Sequence, residues 1–288
     1  MQVLETIEQI RDALRPIRQA GRRIGLVPTM GALHEGHWSL VEAARRSCDD
    51  VIVSVFVNPL QFGPGEDLNA YPQPLDADLA GCKQRGCGWV FAPSAREMYP
   101  GDPLTTVAVR QLAEPLCGRT RKGHFEGVTT VVCKLFNVAQ PDAAFFGEKD
   151  YQQLVVIQRM VQDLDIPVEI VACPTVREPD GLAISSRNAY LDADQRSRAT
   201  SISAALHEAS EAVRQGEQDA QRLIADARRR IARTGAVDIE YVEIVDPDTL
   251  EAMERVDRPA RICVAARFGG ARLIDNVPLN IRRLTSDE

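Results

Sequence analysis

Val27-Pro28-Thr29-Met30-Gly31-Ala32-Leu33-His34-Glu35-Gly36-His37 decides the reading of this chain. It begins at the end of a short apolar run, Ile24-Gly25-Leu26-Val27, which reads as a buried strand. Gly31 then permits a turn, and two histidines follow three residues apart. At the start of a helix, positions i and i+3 share one face, so both imidazoles point the same way. The first helical turn leaves backbone N–H groups unpaired, and the helix dipole makes that end positive; together they attract phosphate. Strand, glycine turn and helix N-terminus in that order predict a nucleotide site at the carboxyl end of a parallel strand. Two surface histidines, or two ligands of a metal, are the alternatives. No third metal ligand stands out in the sequence.

The pattern on either side supports an alternating α/β architecture. Ile7, Ile10, Leu14 and Ile17 form a helical stripe that Gly21 ends. Residues 37–46 read as a helix, and the β-branched run from Val51 to Val57 as a strand covered on both faces. Trp89–Phe91 is a further short strand. A helix through Val128, Val131, Val132, Leu135 and Phe136 precedes a strand at Ala143–Phe146. Leu154, Ile157, Val161 and Leu164 mark another helix, and Val168–Val171 another strand. Strands alternating with helices imply βαβ units and a parallel, Rossmann-like sheet, placed here at residues 1–176.

The charged, Pro- and Gly-containing segment Arg177–Gly181 reads as a loop or hinge. Two helical stripes follow, one through Ile202, Leu206, Ala209 and Val213, the other through Leu223, Ile224, Ala227 and Ile231. Strands at 241–245, 262–266 and 272–274 come after them. Helices followed by strands predict a smaller α+β domain over 177–288.

The chain has 288 residues, 44% hydrophobic and 26% charged, the composition of an ordinary globular protein. A net charge of −7 removes a global basic field for nucleic acid. No stretch approaches the roughly 20 apolar residues of a membrane span, and the N-terminus lacks a signal-peptide apolar region. The seven cysteines include no CxxC pair. Cys82 and Cys87 lack zinc-ligand spacing, so buried free thiols in a reducing cytoplasm are the expected state.

His34-Glu35-Gly36-His37 resembles the HxGH signature of the nucleotidylyltransferase superfamily. Neither the P-loop GxxxxGK[ST] nor the dinucleotide GxGxxG is present. The longer string from Val27 to His37 is similar to that of the pantoate–β-alanine ligase family. So are Phe56-Val57-Asn58-Pro59-Leu60-Gln61-Phe62, the run from Phe146-Gly147-Glu148-Lys149-Asp150 to Leu154, and Asp180-Gly181-Leu182-Ala183-Ile184-Ser185-Ser186-Arg187-Asn188. Gly123-His124-Phe125 and Asp275-Asn276 fit the same family. One departure is Trp38, where members usually carry Leu or Met; its ring is expected to pack into the core.

The resemblance implies an ATP site formed by Met30, Gly31, Ala32, Leu33, His34, Glu35, Gly36 and His37, with Gly147, Glu148, Lys149 and Asp150. Val176, Ile184, Ser185, Ser186 and Arg187 belong to the same implied set. His34, His37, Lys149 and Arg187 are the implied catalytic groups, offsetting charge as an α-phosphate is attacked. A solvated lysine and a helix N-cap at Ser186 are the plain alternatives for those positions. Gln61 and Gln153 are implied for pantoate, and Gln61, Asn58 and Tyr71 for β-alanine. Neutral amides suit a nucleophilic carboxylate, because a pinned cation would blunt its attack. Asp76 and Asp78 are candidate Mg²⁺ ligands or a solvated helix start. His124, near Arg119 and Arg121, suits either a phosphate or a structural role.

The reaction so implied is ATP-dependent joining of pantoate to β-alanine through an acyl-adenylate, by a homodimeric cytoplasmic enzyme whose second domain acts as a lid. A nucleotidylyltransferase acting on a phosphate-bearing substrate and a nucleotide-binding sensor are the rivals. The former needs further cations where Gln61 and Gln153 are neutral.

Overall fold

The structure, a computed structural model, describes residues 1–281. It divides into two compact units. One comprises Met1–Glu114 with Gly118–Val176, and the other Pro115–Cys117 with the chain from Arg177 onward.

The first unit is built on six parallel strands, β1 (Gln2–Leu4), β2 (Ile24–Thr29), β3 (Asp50–Val55), β4 (Trp89–Phe91), β5 (Ala143–Gly147) and β6 (Glu169–Cys173). Their order across the sheet is β1-β4-β3-β2-β5-β6. Helices α1 (Ile7–Gln19), α2 (Glu35–Ser47), α3 (Leu75–Gln84), the short α4 (Ala95–Met98) and α5 (Cys117–Thr120), α6 (His124–Ala139) and α7 (Tyr151–Asp163) connect or follow them. Alternation along each strand places neighbouring residues on opposite faces. Leu26, Ile52, Ala144 and Phe146 join one core with α1, α6 and α7. Val27, Val53, Ala143 and Phe145 join the other with α2 and α3. Both faces are therefore covered, which is why these strands read as continuous apolar runs rather than as alternating ones.

The chain moves from β2 outward to β3 and β4, then returns to β5 on the other side of β2. That reversal is the topological switch point, where open α/β sheets leave a crevice at the carboxyl ends of the strands. The turn after β2 carries the two histidines, and the turn after β5, which ends at Gly147, carries Glu148 and Lys149.

Among the described residues, the second unit has two α-helices, α8 (Ala193–Arg214) and α9 (Ala220–Ala232), and an antiparallel sheet in the order β7 (Asp238–Val245), β8 (Ala260–Phe268), β9 (Ala271–Leu279). Ile202, Leu206, Leu223 and Ile231 of the helices share one core with Val242, Ile262 and Val264 of the strands. Arg177 binds Asp275 of β9 with two hydrogen bonds, 2.6 and 2.9 Å, and so ties the start of this unit to its last strand.

The elements expected from the sequence are present with shifted ends, and β1 and the short helices α4 and α5 are additional to them. The strand expected to reach Val57 stops at Val55, because Asn58 begins a turn with its own side-chain hydrogen bonds. The strand expected at 272–274 runs over Ala271–Leu279, paired along its whole length with β8. β1, three residues at a sheet edge, has no counterpart in the pattern. All seven cysteines are free thiols, five of them buried. Among the described residues, no helix is long and apolar enough to cross a membrane.

Candidate active site

The turn that carries the histidines is held from three directions. Thr29 Oγ1 donates to the Ser54 carbonyl at 2.7 Å and accepts the Gly31 N–H at 3.2 Å. Gly31 (φ +87°) and Ala32 (φ +51°) both lie in the left-handed region, which is costly for the alanine. That backbone persists because Asp78 of α3 accepts the N–H groups of Ala32 and Leu33 at 2.9 and 2.7 Å. A Cβ at Gly31 would lie 3.1 Å from the same carboxylate and from Val55, so the position needs glycine for space as well as for φ.

His34 is the N-cap of α2 and His37 stands three residues on, with ring centroids 4.1 Å apart. A Cβ at Gly36 would approach the His34 ring to 2.9 Å, so a larger residue there would displace that ring. The His34 N–H donates to His37 Nδ1 at 3.3 Å. The neutral His37 ring therefore carries its proton on Nε2, as assigned from that hydrogen bond. Burial, then the His34 and Lys149 charges, lower His37 to about 3. Burial and Lys149 lower His34 to about 4, against a smaller opposing effect of Asp150. Both rings are neutral at neutral pH, and the fixed positive charge beside them is Lys149. Its Nζ lies 3.8 Å from Asp150.

Gln61 lies in the one-turn 3-10 helix Pro59–Gln61 after β3, and its Nε2 reaches Met30 Sδ at 3.0 Å. The pair brings the expected acid-binding and nucleotide-binding residues together. Asn58, almost wholly buried, donates to Gln61 Oε1 at 3.1 Å and to the Gly127 carbonyl at 3.0 Å. Tyr71 is buried edge-on to Phe62. Gln153 is half-buried in the first turn of α7, whereas its neighbour Gln152 is buried and donates to the Leu112 carbonyl at 2.9 Å.

The two candidate Mg²⁺ residues are not brought together. Asp76 and Asp78 stand two apart on α3, which turns them to different sides of the helix; Asp76 is exposed and Asp78 buried. Both Asp78 oxygens are engaged by the turn at Ala32 and Leu33. Burial raises the Asp78 pKa, and these two backbone bonds oppose the rise. Among the described residues, no group of three or more His, Cys, Asp or Glu is placed to hold a metal.

Sequence reasoning also left the supports of Gln61 unassigned. His124 Nδ1 lies 2.8 Å from the Gln61 carbonyl, and its Nε2 lies 2.9 Å from Arg121 Nη1. A guanidinium only donates, so Nε2 accepts and Nδ1–H donates to Gln61. Arg121 in turn holds Glu66 with bonds of 2.8 and 2.7 Å. These bonds make His124 a support of the Gln61 turn. Trp38 packs into the core as expected, its ring lying over Gly81 so closely that a Cβ there would come within 2.5 Å. The Arg85 guanidinium lies over the ring, 4.3 Å from its centroid.

Val176 is half-buried at the end of the first unit, and Ile184, Ser185, Ser186 and Arg187 belong to the second. There Ser185 Oγ accepts the Arg187 N–H at 3.3 Å and caps the one-turn 3-10 helix Ser186–Tyr190. The segment before it is braced by Arg196, which pairs with Glu178 at 2.5 Å and Asp180 at 2.9 Å.

Comparison with known proteins agrees with this geometry. Residues 2–278 match the family described as pantoate-beta-alanine ligase. The chain belongs to the pantoate–β-alanine ligase family. A relative named pantothenate synthetase 1, from Bradyrhizobium diazoefficiens, is 52% identical over 97% of this chain and 99% of its own length. A crystal structure of pantothenate synthetase from Thermus thermophilus superposes with a TM-score of 0.92 at 46% identity, covering 96% of this chain and 99% of that one. The pantoate-beta-alanine ligase of Francisella tularensis, solved with beta-gamma ATP and beta-alanine, superposes at 0.79 with 34% identity, covering 96% and 97%. As a member of this ligase family, the chain is an enzyme.

Proposed function

We propose that this enzyme condenses pantoate with β-alanine at the expense of ATP, through pantoyl-adenylate. The pantoate carboxylate attacks the α-phosphorus and pyrophosphate leaves. The β-alanine amine then attacks the acyl carbon, and AMP departs as pantothenate forms. The observation that carries the reading is the Gln61 amide set against Met30, beside two neutral histidines and one lysine. The cations and donors serve the phosphate side, while an uncharged donor serves the acid. An anionic nucleophile is oriented there without being neutralised.

His37 Nε2–H, His34 and Lys149 are assigned to phosphate oxygens, where donors already in place need no reorganisation as charge develops. Gln153 joins Gln61 on pantoate, and Asn58 and Tyr71 complete the β-alanine side. Family resemblance assigns Ser185, Ser186 and Arg187 to the leaving pyrophosphate. Mg²⁺ is taken as the counter-ion of ATP, held by phosphate oxygens and water, as is usual for a cation that dehydrates reluctantly. A homodimer in the cytoplasm is the proposed setting.

The test is a product assay with ATP, pantoate and β-alanine, omitting each in turn. AMP and pyrophosphate must appear together with pantothenate. Pantoate-dependent exchange of labelled pyrophosphate into ATP must also occur without β-alanine; an active enzyme that lacks it does not use the two-step route. A nucleotidylyltransferase would instead retain AMP in its product.

A further inference from the structure

The amide of Gln61 could present either its oxygen or its –NH2 to the acid substrate, and the two choices are opposite in effect. A carboxylate accepts hydrogen bonds only, so it is oriented by the –NH2 and repelled by the oxygen. What sets the choice is a chain of bonds behind Gln61.

Asn58 is 1% exposed, and its amide has every hydrogen-bonding position filled. Its Nδ2 donates to Gln61 Oε1 at 3.1 Å and to the Gly127 carbonyl at 3.0 Å. Its Oδ1 accepts from Tyr99 Oη at 2.9 Å and from Leu60 N at a longer 3.4 Å. Turning the amide over would set –NH2 against the Leu60 N–H and oxygen against the Gly127 carbonyl. The strong donor on the oxygen side is the Tyr99 hydroxyl, since the Leu60 bond is long. With Asn58 held this way, Gln61 must offer Oε1 to it, and its –NH2 faces Met30 and the site.

We infer that Tyr99 is a positioning residue for the reaction: its hydroxyl, donating to Asn58 Oδ1, works with the Gly127 carbonyl to hold Asn58 in the orientation in which Gln61 presents a donor to the acid. Tyr99 follows α4, 41 positions from Asn58, and lies outside the blocks that resemble the ligase family. Its ring packs 6.1 Å from Phe56, with Lys134 5.4 Å over its face. Burial raises the phenol to about 12, which keeps the hydroxyl protonated and able to donate. The inference rests on the reading that Gln61 binds pantoate.

The decisive variant is Tyr99→Phe, which keeps the ring and removes only the donor. Steady-state kinetics should show the pantoate KM rising about three- to tenfold, the worth of one net hydrogen bond, with the ATP KM unchanged and the melting temperature lowered by no more than the few degrees that one hydrogen bond is worth. In a Gln61→Ala background the same substitution should change nothing further, because the group it orients is gone. Tyr99→Leu serves as the packing control. A silent Tyr99→Phe beside an impaired Tyr99→Leu would reduce Tyr99 to a packing role and overturn the inference. So would a Tyr99→Phe effect that persists at full size without Gln61. If Gln61→Ala alone leaves pantoate binding intact, the inference falls together with the pantoate reading, and the single Gln61 variant identifies that cause.

Discussion

Asp78 accepts the backbone N–H groups of Ala32 and Leu33 at 2.9 and 2.7 Å, so a carboxylate on α3 holds the turn that presents His34 and His37. In Asp78→Asn one oxygen becomes –NH2 and faces a backbone N–H. The left-handed Ala32 then loses part of what holds it. The expected loss is about 1–3 kcal/mol of stability, the range for a buried hydrogen bond to a charged group, read by urea unfolding. Adenylation should slow as the histidines lose their placement. The Mg²⁺ dependence of the residual activity should match that of the wild type. A selective rise in the Mg²⁺ requirement would return Asp78 to the metal.

His37 carries a separate prediction. Its Nδ1 is taken by the His34 N–H, which leaves Nε2–H as the donor for phosphate. His37→Ala should slow pantoate-dependent pyrophosphate exchange by a factor on the order of 10²–10³, the usual cost of removing one charge-stabilising donor. Thermal stability should change little by comparison, because the ring makes one long hydrogen bond. Exchange at the wild-type rate would remove His37 from the chemistry.

These two residues also mark how far the sequence could be read. His34 and His37 were legible because a strand, a glycine turn and a helix start lie within eleven residues, and local spacing fixes their common face. The parallel sheet was legible for a similar reason: strands buried on both faces must be apolar throughout. The hold of Asp78 on the turn was not legible because its partners lie 45 and 46 positions away, and an acidic residue in a first helical turn looks the same whether it meets solvent, metal or backbone. Tyr99 and the chain from Glu66 through Arg121 to His124 join positions separated by 41 to 63 residues, except for the local Arg121–His124 step. No periodicity encodes such contacts. They follow from the order of strands, which one sequence does not state.

Gly127 gives a third prediction, from close approach rather than from hydrogen bonding. It sits in α6 where the turn bearing Gln61 crosses the helix. A Cβ there would lie 2.2 Å from the Leu60 carbonyl oxygen and 2.6 Å from the Gln61 nitrogen. These are backbone atoms, so the turn itself must move. Gly127→Ala should cost about 1–3 kcal/mol of stability as an overpacked site, and it should raise the pantoate KM more than the ATP KM. Saturation kinetics in each substrate would separate the two. Equal losses in both would mean that the damage spreads beyond the Gln61 turn.

His124 supplies the pH dependence. Burial and the Arg121 charge lower it from 6.5 to about 4, against smaller opposing effects of the Gln61 carbonyl, Glu66 and Asp150. Between those two values the unfolded chain binds a proton that the folded one refuses. Unfolding free energy therefore falls as the pH drops from about 6.5 to about 4, and this contribution stops changing below that. Glu66 is depressed in its turn, since the Arg121 bond and charge outweigh the effect of its burial, and it loses its advantage only under more acid conditions. His124→Gln keeps a donor for the Gln61 carbonyl and an acceptor for Arg121 but cannot titrate. Urea unfolding at a series of pH values should find the wild type losing more stability than the variant across that window, by on the order of 2–3 kcal/mol. Parallel curves would mean that His124 takes up its proton in the folded enzyme as readily as in the unfolded chain, and its assignment as a histidine kept neutral across that window would then be wrong.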